Sequence, residues 1–316
     1  MSSILAALAP IFLLILLGHL IRRTGFVAES FWASAEKLTY FVLFPALLVA
    51  NLAEARLDGL PVAMIAGSQA AAILTMAGMI TGAAAFGWRA GLEDAGFSSL
   101  FQSMIRPNTY VGFAAAAGLY GAHGVTLTAI CVAMVVPLVN LICVLALLRW
   151  TDNSQARGWR LVLPVVKNPL IAACLIGIAL NMTGIGLPPI IGPFLKILGQ
   201  AALAIGLLAV GAGLEPAAVR NGGLAMGWAL AGKLVGMPAL AGLIAWGLGL
   251  RGTELAVSVL YAGLPVAPNA YVLARQMGGD ARLVAAMITA STLAAGLTLP
   301  VAGVVAQWAG SAIVGP

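Results

Sequence analysis

Long apolar runs recur from one end of the chain to the other, and the polar connections between them are only a few residues long. A bilayer core about 30 Å thick takes a helix of roughly 20 such residues. Ten runs of that kind are predicted, at 4–21, 38–55, 60–88, 97–120, 125–149, 161–182, 190–213, 222–250, 254–277 and 281–308. The connections at 54–59, 120–124 and 251–254 leave no length for soluble elements. Of the 316 residues only 8% are charged, against roughly 25% in a soluble domain. The expected fold class is an all-α polytopic membrane protein with ten transmembrane helices. The first run continues into Arg22-Arg23 without a small-residue cleavage site, so it is expected to stay as a span.

Basic residues alternate between the connections. One set holds Arg22, Arg23, Lys37, Arg89, Arg149, Arg157, Arg160, Lys167, Arg220, Arg275 and Arg282, and the opposite set holds Arg56, Lys196 and Arg251. The positive-inside rule places the richer set in the cytoplasm, with both termini outside. The net charge of +6 therefore reports topology, and no nucleic-acid partner is expected.

Within the fourth and ninth runs one phrase is repeated. Pro107, Asn108, Tyr110 and Val111 recur as Pro268, Asn269, Tyr271 and Val272, at an offset of 161. Pro10, Gly18, Thr24 and Gly25 recur as Pro169, Gly177, Thr183 and Gly184, and Glu54 recurs as Glu215. Gly118 and Thr128 recur as Gly279 and Thr289. The expected organisation is a five-helix repeat over 1–150, a cytoplasmic linker over 151–160, and a second five-helix repeat over 161–316. Five is odd, so the second repeat enters the membrane from the opposite side, the inverted arrangement of secondary transporters. Spans 4 and 9 are then equivalent, broken helices that cross near the midplane.

A proline inside a helix removes a donor and clashes with the preceding turn. Backbone groups freed in this way are tolerated at membrane depth only inside protein or against a water-filled cavity. A half-helix N-terminus also suits an anion. The candidate substrate site is accordingly Arg106, Pro107, Asn108, Tyr110, Asn140, Pro268, Asn269 and Tyr271, with Pro265 reinforcing the second break. Two readings apply to Arg106: a guanidinium that snorkels to the surface, or one that grips a carboxylate. Ala267 stands at the equivalent position, so Arg106 breaks the symmetry in favour of an anion. Lys233 reads as a structural ion pair or helix-packing contact, or as a titratable coupling group. Gln69 and Asn140 are interhelical hydrogen bonders or cavity lining. Tyr110 and Tyr271 either close the site or simply pack. Asp280 is expected to cap the start of span 10, with cation or proton ligation as the other reading.

Cys131, Cys143 and Cys174 fall in apolar runs without CxxC spacing and are expected to be free and buried. Two histidines, His19 and His123, do not support a metal site, and there is no GxSxG, HExxH or P-loop motif. Neither an enzyme nor a bound cofactor is expected.

The segment Ala9-Pro10-Ile11-Phe12-Leu13-Leu14-Ile15-Leu16-Leu17-Gly18 with Arg22-Arg23-x-Gly25 resembles the start of the auxin efflux carrier family. So do Leu43-Phe44-Pro45-Ala46-Leu47, Arg106-Pro107-Asn108-Thr109-Tyr110, Val136-Pro137-Leu138-x-Asn140 and Gly278-Gly279-Asp280. The bacterial branch is the better match, because the long central hydrophilic loop of the plant carriers is missing. Span 3 also carries Ser68-Gln69 where the plant carriers have a charged support site. The resemblance implies a scaffold of helices 1, 2, 6 and 7 and a transport domain of helices 3–5 and 8–10. It implies elevator-type alternating access and a homodimer through the scaffold in the cytoplasmic membrane, and transport is expected to be driven by H+, Na+ or the membrane potential. The implied cargo is a small organic anion, a mono- or dicarboxylate, bound by Asn108 with Asn269 opposite. A cation/proton exchanger or a sodium-coupled bile-acid-type symporter is the alternative on the same architecture.

Overall fold

The computed structural model describes residues 2–55, 59–151, 168–220 and 222–311. The expected linker at 151–160, together with Arg56, Arg157, Arg160 and Lys167, lies outside these residues apart from Thr151. The described residues are predominantly helical, and among them the β-type pairing is one isolated antiparallel bridge, Pro107 to Val266. The helices are α1 (Ser2–Arg23), α2 (Glu29–Leu38), α3 (Phe44–Glu54), α4 (Val62–Ala85), α5 (Asp94–Ile105), α6 (Thr109–Trp150) and α7 (Pro169–Met182). They continue with α8 (Ile191–Ala212), α9 (Pro216–Val219), α10 (Gly223–Ala231), α11 (Met237–Gly247), α12 (Gly252–Ala262), α13 (Asn269–Met277) and α14 (Ala281–Ser311).

Among the described residues, seven helical stretches are long and apolar enough to cross a membrane: Ile4–Arg23, Glu29–Glu54, Val62–Ala85, Thr109–Trp150, Ile191–Ala212, Gly223–Gly247 and Ala281–Val304. The ten predicted runs map onto them unevenly. Runs 4 and 9 are interrupted at the predicted breaks. Run 6 is described only from Pro169, as a 14-residue helix whose Asn168 side chain caps it by accepting from the Leu170 amide at 2.9 Å. The 42-residue α6 spans the rest of run 4 and all of run 5. The predicted connection is a sharp break at Gly121 (φ +58°, ψ −147°) that divides α6 into two helices and brings Gly124 against the Ala116 carbonyl. Glycine reaches that region without the Cβ penalty other residues carry.

The second run begins nine residues earlier than expected, at Glu29 rather than 38. Polar residues such as Glu36 and Lys37 mask this part of the helix in a hydropathy pattern. Yet α2 buries Trp32 and Ala35 on one face, and Arg22 of α1 pairs with Glu29 at 2.6 Å. A π-helical turn, Thr39–Leu43, joins α2 to α3, and a second, Gly232–Gly236, joins α10 to α11. Each lies just before a proline, Pro45 and Pro238. The pyrrolidine ring crowds the carbonyl four residues back, Phe41 or Leu234, and offers it no donor. Widening the turn to an i→i+5 register relieves that clash without breaking the helix.

Two packed groups emerge. Helices α1, α3, α7 and α8 pack on one another, and α4, α5, α6 and α10 to α14 form the other set, with α6 touching α1, α3, α7 and α8, and α14 touching α1. Close approach in the first group depends on glycine, as is common where helices meet in a bilayer. A Cβ on Gly18 would overlap the Leu208 carbonyl, and one on Gly211 would overlap the Ile15 carbonyl. A Cβ on Gly177 would sit 2.8 Å from Leu52 Cβ. Gly211→Val is therefore expected to lower stability by roughly 1–3 kcal/mol, the usual range for overpacking. Gly67→Ala, where a Cβ meets nothing within 4 Å, should leave it unchanged. Thermal unfolding of the detergent-purified variants measures both.

Candidate functional site

The two predicted breaks meet. Proline 107 ends one half-helix, and α5 stops at Ile105 while α6 begins at Thr109. The second break is longer, running from the end of α12 at Ala262 to the start of α13 at Asn269. Pro265 accounts for the extra length: it leaves the Tyr261 carbonyl without its helical donor and crowds it. Across the gap the Asn108 amide donates to the Pro265 carbonyl at 2.9 Å, and the Ala267 amide donates to the Arg106 carbonyl at 3.2 Å. The Val266 amide donates to Ser291 Oγ of α14 at 3.0 Å. The groups freed by the prolines are thus satisfied by one another.

Arg106 sits at the C-terminal end of α5 in an extended conformation, 6% exposed. It does not reach the surface, so the snorkelling alternative does not hold. Its Nη2 donates to Asn140 Oδ1 of α6, while its Nη1 is buried without a partner. Asn108 caps α6, its Oδ1 accepting from the amides of Tyr110 at 3.1 Å and Val111 at 3.4 Å. Its Nδ2 is buried and unpartnered. Gln102, one turn before Arg106 on the same helix face, is also buried with both amide atoms unpartnered. Gln102 was legible as a polar residue four places from Arg106 in an apolar run.

The second copy of the phrase is not a mirror of the first. Pro268 is already in helical conformation (φ −57°, ψ −34°), so Asn269 is the first residue of α13, makes no cap and is exposed. The two asparagines thus differ in conformation: Asn108 is buried and caps its helix, whereas Asn269 is exposed and makes no cap. Tyr110 packs its ring on Phe44 of α3, with centroids 4.7 Å apart, and faces Gly206 of α8. Tyr271 belongs to a separate small cluster with Val266, Ala270, Ala274, Val284 and Ile288. The two tyrosines therefore lie in different surroundings.

Of the supporting candidates, Gln69 donates from α4 to the Ser258 carbonyl at 3.0 Å. Lys233 is fully buried and donates to the Ala262 carbonyl at 2.9 Å. It stands in none of the ion pairs of the described residues, so of its readings the ion pair is not seen, and its partner is a helix-end carbonyl. Asp280 accepts from the Leu283 amide at 2.9 Å and caps α14, as expected. Helix α2 and the π-helical turn after it bring Glu36 and Tyr40 to the neighbourhood: Tyr40 lies within electrostatic reach of Arg106, and Glu36 within reach of Tyr110. Beyond Phe44, a cavity of about 600 Å³ follows α3 outward past Leu47 and Asn51 to Glu54, which pairs with Lys196 at 2.7 Å.

The arrangement offers unused N–H donors from a guanidinium and an amide at the N-terminus of a half-helix, a setting that favours negative charge. Residues 159–302 match the family model described as "Membrane transport protein". An uncharacterized transporter of Methanothermobacter thermautotrophicus is 27% identical over 300 residues, 93% of this chain and 96% of that protein.

The two asparagines should respond unequally to substitution. Asn108→Ala is expected to cost about 0.5–2 kcal/mol, as loss of a helix cap does. Asn269→Ala should stay within about 0.5 kcal/mol of the parent, as surface changes do. Thermal unfolding in detergent separates the two.

Proposed function

Because the chain belongs to the membrane transport protein family, as the likeness of its motifs to the auxin efflux carriers anticipated, we propose that it is a secondary carrier of a small organic anion, a mono- or dicarboxylate. The observation that carries this is the buried Arg106 guanidinium, whose Nη1 is left unpartnered beside the capped N-terminus of α6. An isolated buried charge is costly, and a carboxylate supplies both the missing acceptor and the counter-charge. Asn108 Nδ2 gives a second donor of the same kind. In this proposal Asn140 holds the guanidinium in place, and Pro107, Pro268, Tyr110, Asn269 and Tyr271 frame the crossover.

Ten transmembrane helices in two inverted repeats, with α5/α6 and α12/α13 as the crossing pair, complete the proposal. The glycine contacts support it. Gly18 of α1 meets Leu208 of α8, and its sequence mate Gly177 of α7 meets Val49 of α3. Exchanging the two halves of the chain carries one contact into the other. Elevator-type movement is supported by the two packed groups of helices and by the contacts of Tyr110 on α3 and α8, which lie on their boundary. The scaffold is α1 to α3, α7 and α8, through which a homodimer forms. Apolar side chains such as Leu175, Ile176, Phe194 and Ile197 on its outer faces suit either lipid or a second copy. The carrier lies in the cytoplasmic membrane with both termini outside.

Uptake of radiolabelled malonate, malate and monocarboxylates into proteoliposomes tests the proposal. At least one of them should be transported and should raise the thermal unfolding midpoint of the purified protein, since a ligand of the native state stabilises it. Arg106→Gln should weaken binding at least tenfold, because a hydrogen bond to a charged group contributes about 1.5–3 kcal/mol. Undiminished transport by that variant would remove Arg106 from the site. Ion flux that needs no organic anion would identify an exchanger instead.

A further inference from the structure

Lys233 is a second buried cation, and its surroundings differ from those of Arg106. It is carried on the π-helical turn Gly232–Gly236 and none of its surface is exposed. An ammonium has three donors and no acceptor. One donor goes to the carbonyl of Ala262, the last residue of α12. The last carbonyls of a helix lack intrahelical partners and carry the negative end of its dipole. Pro265 prevents α12 from continuing, so this helix end stays buried. The neighbouring Val259 and Tyr261 carbonyls accept from the amides of Gly263 and Leu264, which leaves the Ala262 carbonyl to the lysine.

Ser258 Oγ and Tyr261 OH on the same half-helix are buried and unpartnered, and neither bonds to Lys233. Gln69 reaches the same half-helix from α4 through the Ser258 carbonyl. A carbonyl oxygen at the negative end of a helix suits a hard monovalent cation. Here an ammonium on a four-carbon tether takes that place. The position 161 residues earlier is Ala72, also buried, so the device belongs to one half of the chain.

We propose that Lys233 is a built-in cation, seated at the end of α12 where a monovalent metal ion would otherwise be held, and that it makes transport independent of Na+. This rests on the carrier reading above for its effect on transport, but the seat itself is testable without any transported substrate. Thermal unfolding midpoints are measured in NaCl and in choline chloride at equal ionic strength, for the parent protein and for Lys233→Ala. The parent should unfold at the same temperature in both salts. Lys233→Ala should be stabilised by several degrees in NaCl, or in ethylammonium chloride as a free replacement for the lost ammonium. Stabilisation of the parent by Na+, or no stabilisation of Lys233→Ala by either cation, would overturn the seat. In proteoliposomes the parent should carry its anion at the same rate with Na+ or choline. Lys233→Met should be at least tenfold slower in choline, and Lys233→Arg should retain activity. A parent stimulated several-fold by Na+, or Lys233→Met at the parental rate, would overturn the role in transport. Should the parent carry no carboxylate, the carrier reading fails while the unfolding comparison still decides the seat. The parent's response to the two salts decides against the proposal even if a variant fails to fold.

Discussion

Everything at the centre of this protein depends on how two interrupted helices satisfy each other's backbone. At membrane depth an unpaired N–H or C=O costs several kcal/mol. Two proline-broken helices would each be untenable alone. Paired through Asn108 to Pro265 and Ala267 to Arg106, they form a short two-stranded contact within a helical protein. That contact holds the start of α6 in place beside Arg106, with Asn108 capping it. Each break thus requires the other.

The same breaks create an electrostatic problem that the chain meets with cations. Arg106 stands at the end of α5 and Lys233 reaches the end of α12, so each half-helix C-terminus is supplied with a basic side chain. Their partners differ. Lys233 is given to a backbone carbonyl, whereas Arg106 shares one nitrogen with Asn140 and leaves another unpaired. That difference is why Arg106 is assigned to the cargo and Lys233 to the scaffolding of the crossover.

Much of the membrane organisation was legible from the chain. The positions of the breaks, the role of Asp280 as a cap and the effect of Pro265 followed from proline chemistry and capping propensity. The early start of α2 was not, because Glu36 and Lys37 interrupt the apolar pattern although α2 buries Trp32 and Ala35. The connection at 120–124 was legible in its place, but its tightness was not: a single Gly121 at positive φ makes the break, and composition does not announce that.

By itself the sequence determined that this is a membrane protein with two proline breaks, because hydropathy and the proline ring act locally and need no partner. Only the tertiary structure decided what the repeated phrase means. Identical Pro-Asn pairs take different conformations, since a helix that starts one residue earlier turns the second asparagine out of its cap and leaves it exposed. The structure also buried Arg106 beside Asn140, a residue 34 positions away. Burial and unpaired donors are properties of packed neighbours, and no stretch of sequence specifies them alone.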